Sequence, residues 1–391
     1  MKHLFPAERE AKRTALLRAV DGVRATLAAH ADESEALRTL PDACVQALTD
    51  TGLFALKCPA QLGGAEADPA TQLEVIEAAT YIDPSAGWSL MIGSGSLAII
   101  GAFLPDEAIA QMFTGDRPPR TAGALMPGKA VPVEGGYRVS GRWSWGSGVR
   151  HAEWVAAQTL VVSNDAGRPQ PRMVVFPAAQ AEIDDNWHVA GLKGTGSCDF
   201  SVSDLFVPEA FTFDSIAWEP KRGGPLYHLG LPGFVIDEHA GFALGVGRRA
   251  LDEVIDLAKS KRRGYAKQVS LVDRHVFQRA VAEGDLRLRA ARSLMLEVLE
   301  RAWQTVCAGQ SPEPRLQAEM RSAATFVTDV ALDITSMAFR YGGGSTVWLN
   351  SILQRCLRDL YVGASHLMVN DSAYENYGQF LLELPDADPM G

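Results

Sequence analysis

Cysteine is scarce and unpatterned in this chain of 391 residues: Cys44, Cys58, Cys198, Cys307 and Cys356 include no pair at metal-ligand or redox spacing. A disulfide framework or a zinc site would have to be assembled over long distances, so the five read as reduced thiols. Positive charge is short as well. The 37 Lys and Arg stand against 47 Asp and Glu, a formal net charge of -10, which argues against nucleic acid as the main partner because phosphate binding needs a positive surface. No stretch approaches the roughly 20 uninterrupted apolar residues a bilayer requires. The N-terminus, with Glu8, Arg9, Glu10 and Lys12 close together, lacks the apolar core of a signal peptide. The expectation is a cytoplasmic protein with no membrane partner. Several chemical signatures are missing too: a phosphate loop ending in Gly-Lys-Ser/Thr, a Gly-x-Ser-x-Gly elbow, and a Gly-x-Gly-x-x-Gly run between strand and helix. Gly191-Leu-Lys-Gly-Thr-Gly196 comes near the last but opens no helix, so hydrolase and nicotinamide chemistry lose most of their support.

What is present is an ordinary globular balance, 47% hydrophobic and 21% charged, in a chain long enough for two or three packed units. The first block, residues 1–118, has a helical period, with Leu16, Leu17, Val20, Val23 and Leu27 at three-to-four spacing. Pro41 lies just inside the start of a second helix expected over 43–53, and 69–81 and 85–103 read as further helices. Between residues 119 and 225 Val, Thr and aromatic residues alternate in short runs broken by Gly135-Gly136 and Pro169, the texture of an antiparallel barrel or sandwich. From 226 to 391 the helical period returns over 238–262, 271–308, 313–340 and 350–382, which predicts a four-helix bundle. The fold class expected is therefore α+β, in three domains: 1–118 helical, 119–225 an antiparallel β-barrel, and 226–391 a helical bundle.

Three segments carry candidate chemistry. Gly141-Arg-Trp-Ser-Trp-Gly-Ser-Gly148, followed by His151 and Trp154, offers the Ser147 hydroxyl and the Gly148 amide beside large aromatic faces, which suits a flat polar heterocycle. Trp143 and Trp145 equally suit the core of a β-strand. Trp187-His188-Val-Ala-Gly-Leu-Lys-Gly-Thr-Gly-Ser197 spaces Thr195 and Ser197 by glycine, either to aim hydroxyls at a ring edge or phosphate or simply to make a hairpin. Arg358-Asp359, with His366 seven residues later on nearly the same helical face, places a basic group over a pocket or belongs to an ordinary surface.

The order of these pieces is more specific than any one of them. A helical block with Pro59-Ala-Gln-Leu-Gly-Gly64, a β block with Ser147-Gly148 and 191–197, and a bundle ending in Gly-Gly and Arg-Asp resemble the acyl-CoA dehydrogenase superfamily from about residue 38 to 378. The resemblance implies a flavin held between β domain and bundle, in a homotetramer whose neighbouring subunit closes part of the site. Acyl-CoA dehydrogenases need a carboxylate base. One branch places it eight residues before the Arg of Arg-Asp, where this chain has Asn350; another places it early in the first bundle helix, where Asp237 and Glu238 stand. The chain is more similar to the two-component flavin-dependent monooxygenases of the same fold, through Asp83-Pro-Ser-Ala-Gly-Trp88, Gly141-Arg-Trp143, Ser147-Gly148, His151, 191–197, and Arg358-Asp359 with His366.

That resemblance implies an oxygenase component that takes reduced FAD or FMN from a separate NAD(P)H:flavin reductase. With O2 it forms a C4a-hydroperoxyflavin and hydroxylates a small aromatic or heteroaromatic molecule. It assigns Ser147 to the flavin N5 and His366 to the catalytic base. Trp145, Gly148, Thr195, Ser197 and Arg358 become cofactor contacts. Arg263, in the cluster Lys259, Lys261, Arg262 and Arg263 before Tyr265, becomes a contact to the flavin diphosphate.

Overall fold

The computed structural model describes residues 5–162, 169–264 and 269–390, without the side chains of Met126 and Arg263. In chain order the helices are α1 (Arg9–Ala29), α2 (Ala31–Leu37), α3 (Asp42–Asp50), α4 (Pro69–Ile82), α5 (Pro84–Phe103), α6 (Asp106–Met112), α7 (Gly230–Ser260), α8 (His275–Cys307), α9 (Pro314–Gly342), α10 (Ile352–Gly363) and α11 (Ser372–Leu381). The main strands are β1 (Thr121–Val133), β2 (Gly136–Gly146), β3 (Trp154–Val161), β4 (Gln170–Pro177), β5 (Glu182–Ile183), β6 (Cys198–Pro208) and β7 (Thr212–Asp214). Two compact units emerge. One comprises Met1–Ala67, Trp88–Val189 and Lys193–Tyr227; the other comprises Asp68–Gly87, Ala190–Leu192 and His228–Gly391.

In the first unit, α1 opens where the Glu8 carboxylate accepts the amides of Glu10 and Ala11, satisfying donors that the first helical turn leaves open. Its buried stripe is Leu16, Val20, Val23 and Leu27, the expected face without Leu17. The second helix is shorter than expected. α3 stops at Asp50 because Gly52 turns into the left-handed region at φ 74°, and Leu53–Ala55 continue only as a 3-10 turn. α5 corrects the expectation about apolar stretches: at 20 residues it is long and apolar enough, by length and composition, to cross a membrane. Leu90, Leu97, Ala98, Ile100 and Ala102 on it are at most 1% exposed, so within the protein it is a core helix.

The β region corrects a second expectation. Its seven strands run in the order β5-β6-β2-β1-β3-β4-β7, an open sheet ending on the short edge strands β5 and β7, where a barrel would join them. Nor is it wholly antiparallel. β1 and β2 form a hairpin from Val133↔Gly136 outward, and the chain then crosses over to place β3 on the other side of β1, parallel to it. Trp143 anchors the interior: fully buried, it stacks on Phe200 with centroids 5.4 Å apart and donates its indole N–H to the Gln158 carbonyl at 2.8 Å.

In the second unit α4 begins on a capping carboxylate: Asp68 accepts the Thr71 amide at 3.2 Å and its hydroxyl at 2.6 Å, with Pro69 in the first turn. Its partner is α7. A Cβ at Gly241 would sit 2.5 Å from the Leu73 carbonyl oxygen, and one at Gly245 2.5 Å from that of Glu77, so this seam admits only glycine. α8 and α9 complete three long helices. The fourth expected helix, 350–382, is instead α10 and α11 separated by a turn with a 3-10 segment at Leu367–Val369.

Candidate active site

Within the first unit the expected hydroxyls converge. β2 ends in a tight turn in which the Ser147 amide bonds back to the Trp145 carbonyl at 2.8 Å and the Gly148 amide to that of Thr195 at 3.0 Å. Gly148 adopts φ 74°, and a Cβ there would lie 2.9 Å from His151 Nε2, so glycine is required both for the turn and for room. Trp145 holds φ 62°, an uncommon conformation for a bulky residue that costs of order 1–3 kcal/mol. That twist directs its indole outward, where it is 65% exposed. The two tryptophans thus divide the two readings of the strand between them: Trp143 is core and Trp145 is a presented aromatic face.

Behind this turn lies a buried hydroxyl chain. Ser147 Oγ accepts the Trp88 indole N–H at 3.2 Å and shares a proton with Ser197 Oγ at 2.7 Å, which shares another with Thr195 Oγ1 at 2.7 Å. A hydroxyl has one hydrogen and two lone pairs. When Ser147 gives its own hydrogen to Ser197, with the indole N–H on one lone pair, its second lone pair is available for an incoming donor; when Ser197 gives the hydrogen, Ser147 offers its O–H instead. His151 flanks the turn with Nδ1 buried and unbonded; burial, followed by the nearby Arg120 charge, lowers its pKa to about 4, so the ring is neutral.

Within the second unit Arg358 and Asp359 on α10 grip a short piece of chain. Asp359 Oδ1 accepts the Leu192 amide at 2.6 Å, while Arg358 donates Nη1 to the Ala190 carbonyl at 2.7 Å and Nε to Gln354 at 2.6 Å. Leu192 takes φ 51° in this grip. His366 departs from its expected place, since α10 ends at Gly363 and the histidine heads the following 3-10 turn. Its Nδ1 accepts the Met368 amide at 3.3 Å, and its ring packs on that of His239 with centroids 4.4 Å apart. Burial lowers its pKa to about 4. A neutral imidazole that accepts on Nδ1 carries its proton on Nε2, so His366 in this arrangement is a donor at Nε2.

The dehydrogenase positions divide: Asn350 is exposed in the turn before α10, whereas Asp237 and Glu238 are buried at 1% and 3% exposure on α7. Of the basic cluster, Lys259 pairs with Asp256 and Lys261 holds the Gly342 carbonyl and Ser345 hydroxyl at the end of α9. Arg263 occupies a two-residue strand, and its side chain, like Tyr265, lies outside the described residues. Sequence reasoning quoted Trp88 only within a motif and passed over His239 and Arg321. A donor to a serine fifty-nine positions away leaves no local signal.

Comparison with known proteins matches these features to a family. Residues 9–111 match the family described as Acyl-CoA dehydrogenase, N-terminal domain, and residues 238–371 that described as Acyl-CoA dehydrogenase, C-terminal domain. An indole-3-acetate monooxygenase of Pseudomonas putida is 32% identical over 374 residues, 95% of this chain and 94% of that protein. The chain belongs to the acyl-CoA dehydrogenase superfamily. Within that superfamily its relatives are monooxygenases and hydroxylases: the oxygenase component of an FADH2-dependent resorcinol hydroxylase of a Rhizobium species is 27% identical, covering 95% of this chain and 94% of the relative. The crystal structure of 3-HSA hydroxylase from Rhodococcus sp. RHA1 superimposes with a TM-score of 0.88 at 27% identity, covering 96% of this chain and 98% of that one.

Proposed function

We propose that this chain is the oxygenase component of a two-component flavin-dependent monooxygenase, using reduced FAD or FMN and O2 to hydroxylate a small aromatic or heteroaromatic substrate. The observation that carries the reading is the Trp88–Ser147–Ser197–Thr195 hydrogen-bond chain set behind an exposed indole on a strained turn. These residues fit a reduced flavin: a flat aromatic face at Trp145, a glycine at 148 where a side chain would intrude, and at Ser147 an acceptor suited to the N5–H. The flavin, when bound, would supply the two electrons that activate O2, one oxygen atom of which goes to the substrate and the other to water. The protein's part is to hold the N5 proton, exclude water and orient the substrate. Thr195 and Ser197 fix the direction of the Ser147 hydroxyl. We assign Arg263 to the flavin phosphates, and Arg358 to holding residues 190–192, since its Nε and Nη1 are engaged there.

To His366 we assign the substrate. An Nε2–H donor stabilises a phenol-type oxygen whose proton has passed to solvent before the substrate is enclosed, which makes the ring more nucleophilic, the same end that a base would serve. Absence of a nicotinamide-binding motif supports a separate NAD(P)H:flavin reductase as partner, in line with the relative named as an oxygenase component. The buried thiols Cys58, Cys198 and Cys356 support a reducing compartment such as the cytoplasm. The exposed run Val347, Trp348 and Leu349, each at least 65% exposed, supports a homo-oligomer, which the resemblance puts at a tetramer. The test is stopped-flow mixing of the protein and photoreduced flavin with oxygen and a phenolic or indolic substrate. Hydroxylated product formed without reductase or NADH is expected; rapid reduction of the bound flavin by NADH alone overturns the reading.

A further inference from the structure

His366 stands in a turn, and a buried guanidinium ties several points of that turn to α9. Arg321, from the first third of α9, is 2% exposed. Its Nη2 donates to the Leu367 carbonyl at 2.9 Å, to Asn370 Oδ1 at 3.2 Å and to Ser372 Oγ at 3.0 Å, and its Nη1 reaches the Met390 carbonyl at 3.4 Å. The acceptors bracket the segment that begins with the His366 contact: Met368, whose amide sits on His366 Nδ1, lies between Leu367 and Asn370. Ser322, the next residue of α9, adds a hydrogen bond to the Ala373 carbonyl at 2.6 Å. On its other face the His366 ring meets His239.

A single 3-10 turn has only one internal backbone bond, Val369 N–H to the His366 carbonyl at 3.1 Å, so the direction of its other amides depends also on its side-chain anchors. Removing the guanidinium releases the three acceptors of the turn, and the Met390 carbonyl with them, and so loosens the backbone that sets the Met368 amide on His366. Without that donor the Nε2–H tautomer of the imidazole loses the hydrogen bond that favours it at Nδ1. We propose that Arg321 is a positioning residue for the reaction: by anchoring the Leu367–Ser372 turn it keeps the Met368 amide on His366 Nδ1 and so keeps the imidazole donating through Nε2. The proposal rests on the assignment of His366 to the substrate.

The experiment uses the full chain with selectively 15N-labelled histidine, with His366 assigned by difference against His366→Gln. In the parent, His366 should show an unprotonated Nδ1 and a protonated Nε2 at neutral pH. Arg321→Met should mix or reverse the two signals and slow product formation by about 10-fold to 100-fold, the range a misplaced group incurs. Reduced-flavin affinity and the reaction of flavin with oxygen should stay at parent values. Should Arg321→Met fail to fold, the double variant Asn370→Ala, Ser372→Ala removes two of the acceptors without emptying a buried site, and the same mixing of tautomers is expected. Parent tautomer signals together with the parent rate of product formation, in either variant, overturn the proposal and leave Arg321 a stabilising clamp. Failure of the parent to transfer oxygen at all overturns the function reading instead, and the tautomer measurement separates the two.

Discussion

Ser147→Ala is the sharpest perturbation of the hydroxyl chain, because its stability cost and its chemical effect can be worked out separately. The substitution removes the acceptor of the Trp88 indole N–H and one of two short hydroxyl contacts of Ser197. The second contact of Ser197, to Thr195, survives. A buried donor deprived of its partner costs about 1–3 kcal/mol, and in a chain of this size that corresponds to a fall of about 1–4 °C in Tm. Ser197→Ala should cost a similar amount by breaking both 2.7 Å contacts, yet it leaves the indole N–H on Ser147. The chemical effects should differ more than the stabilities. If Ser147 holds the flavin N5 proton, Ser147→Ala should release several times more hydrogen peroxide per reduced flavin consumed. Ser197→Ala, in which the acceptor persists but its direction loosens, should show a smaller rise. Peroxide and hydroxylated product are measured together in single turnovers with the flavin supplied photoreduced, and thermal melts of both variants run alongside. An unchanged product yield in Ser147→Ala at full flavin affinity, with only the melting temperature lowered, would refute the reasoning and make the chain a packing device.

His366→Ala should slow product formation at least about tenfold, whereas His366→Gln, which keeps a donor but cannot act as a base, should retain more than His366→Ala; equal loss in both single-turnover assays would assign His366 the role of base. Acyl-CoA thioesters added anaerobically to the oxidised flavin complex should leave its spectrum oxidised; reduction that disappears in Glu238→Gln would move the chain to the dehydrogenases. Stability should fall as pH drops from 6.5 towards about 4, because His151 and His366 are held neutral by burial when folded and take up protons more readily when unfolded. Each contributes at most ~1.4 kcal/mol per pH unit in that window, and denaturant melts of His151→Phe should show a shallower decline; an equally steep one refutes the assignment.

Much of the helical framework was legible because its signals are local: the stripe from Leu16 to Leu27, Pro69 after Asp68, and the apolar run of α5 all depend on neighbours within a turn or two. The open, mixed sheet was not, since β1–β3 pairing follows from a crossover between strands that alternation cannot order. Trp143 and Trp145 show the limit most clearly. Two positions apart on one strand, they should share a face, and the register irregularity between Trp143 and Gly146 together with the positive φ of Trp145 sends them apart. Ser147, Ser197 and Thr195 were readable as candidates, and the structure brings them together. His366 was readable as a residue of interest but not in its tautomer, which depends on an amide two residues later in a turn that the helical period had extended through.

The glycine seam between α4 and α7 also bears on how the chain is made. α4 ends at Ile82 and α7 opens at Gly230, so during synthesis at roughly 5–20 residues per second α4 leaves the ribosome about 7–30 s before the helix that its backbone is shaped to receive. Leu73, Val75 and Ile76, fully buried in the finished protein, have no α7 to pack against throughout that interval. The nascent chain therefore carries an unsatisfied apolar helix past the completion of the entire sheet, which makes α4 the segment where a holding chaperone would be expected to bind.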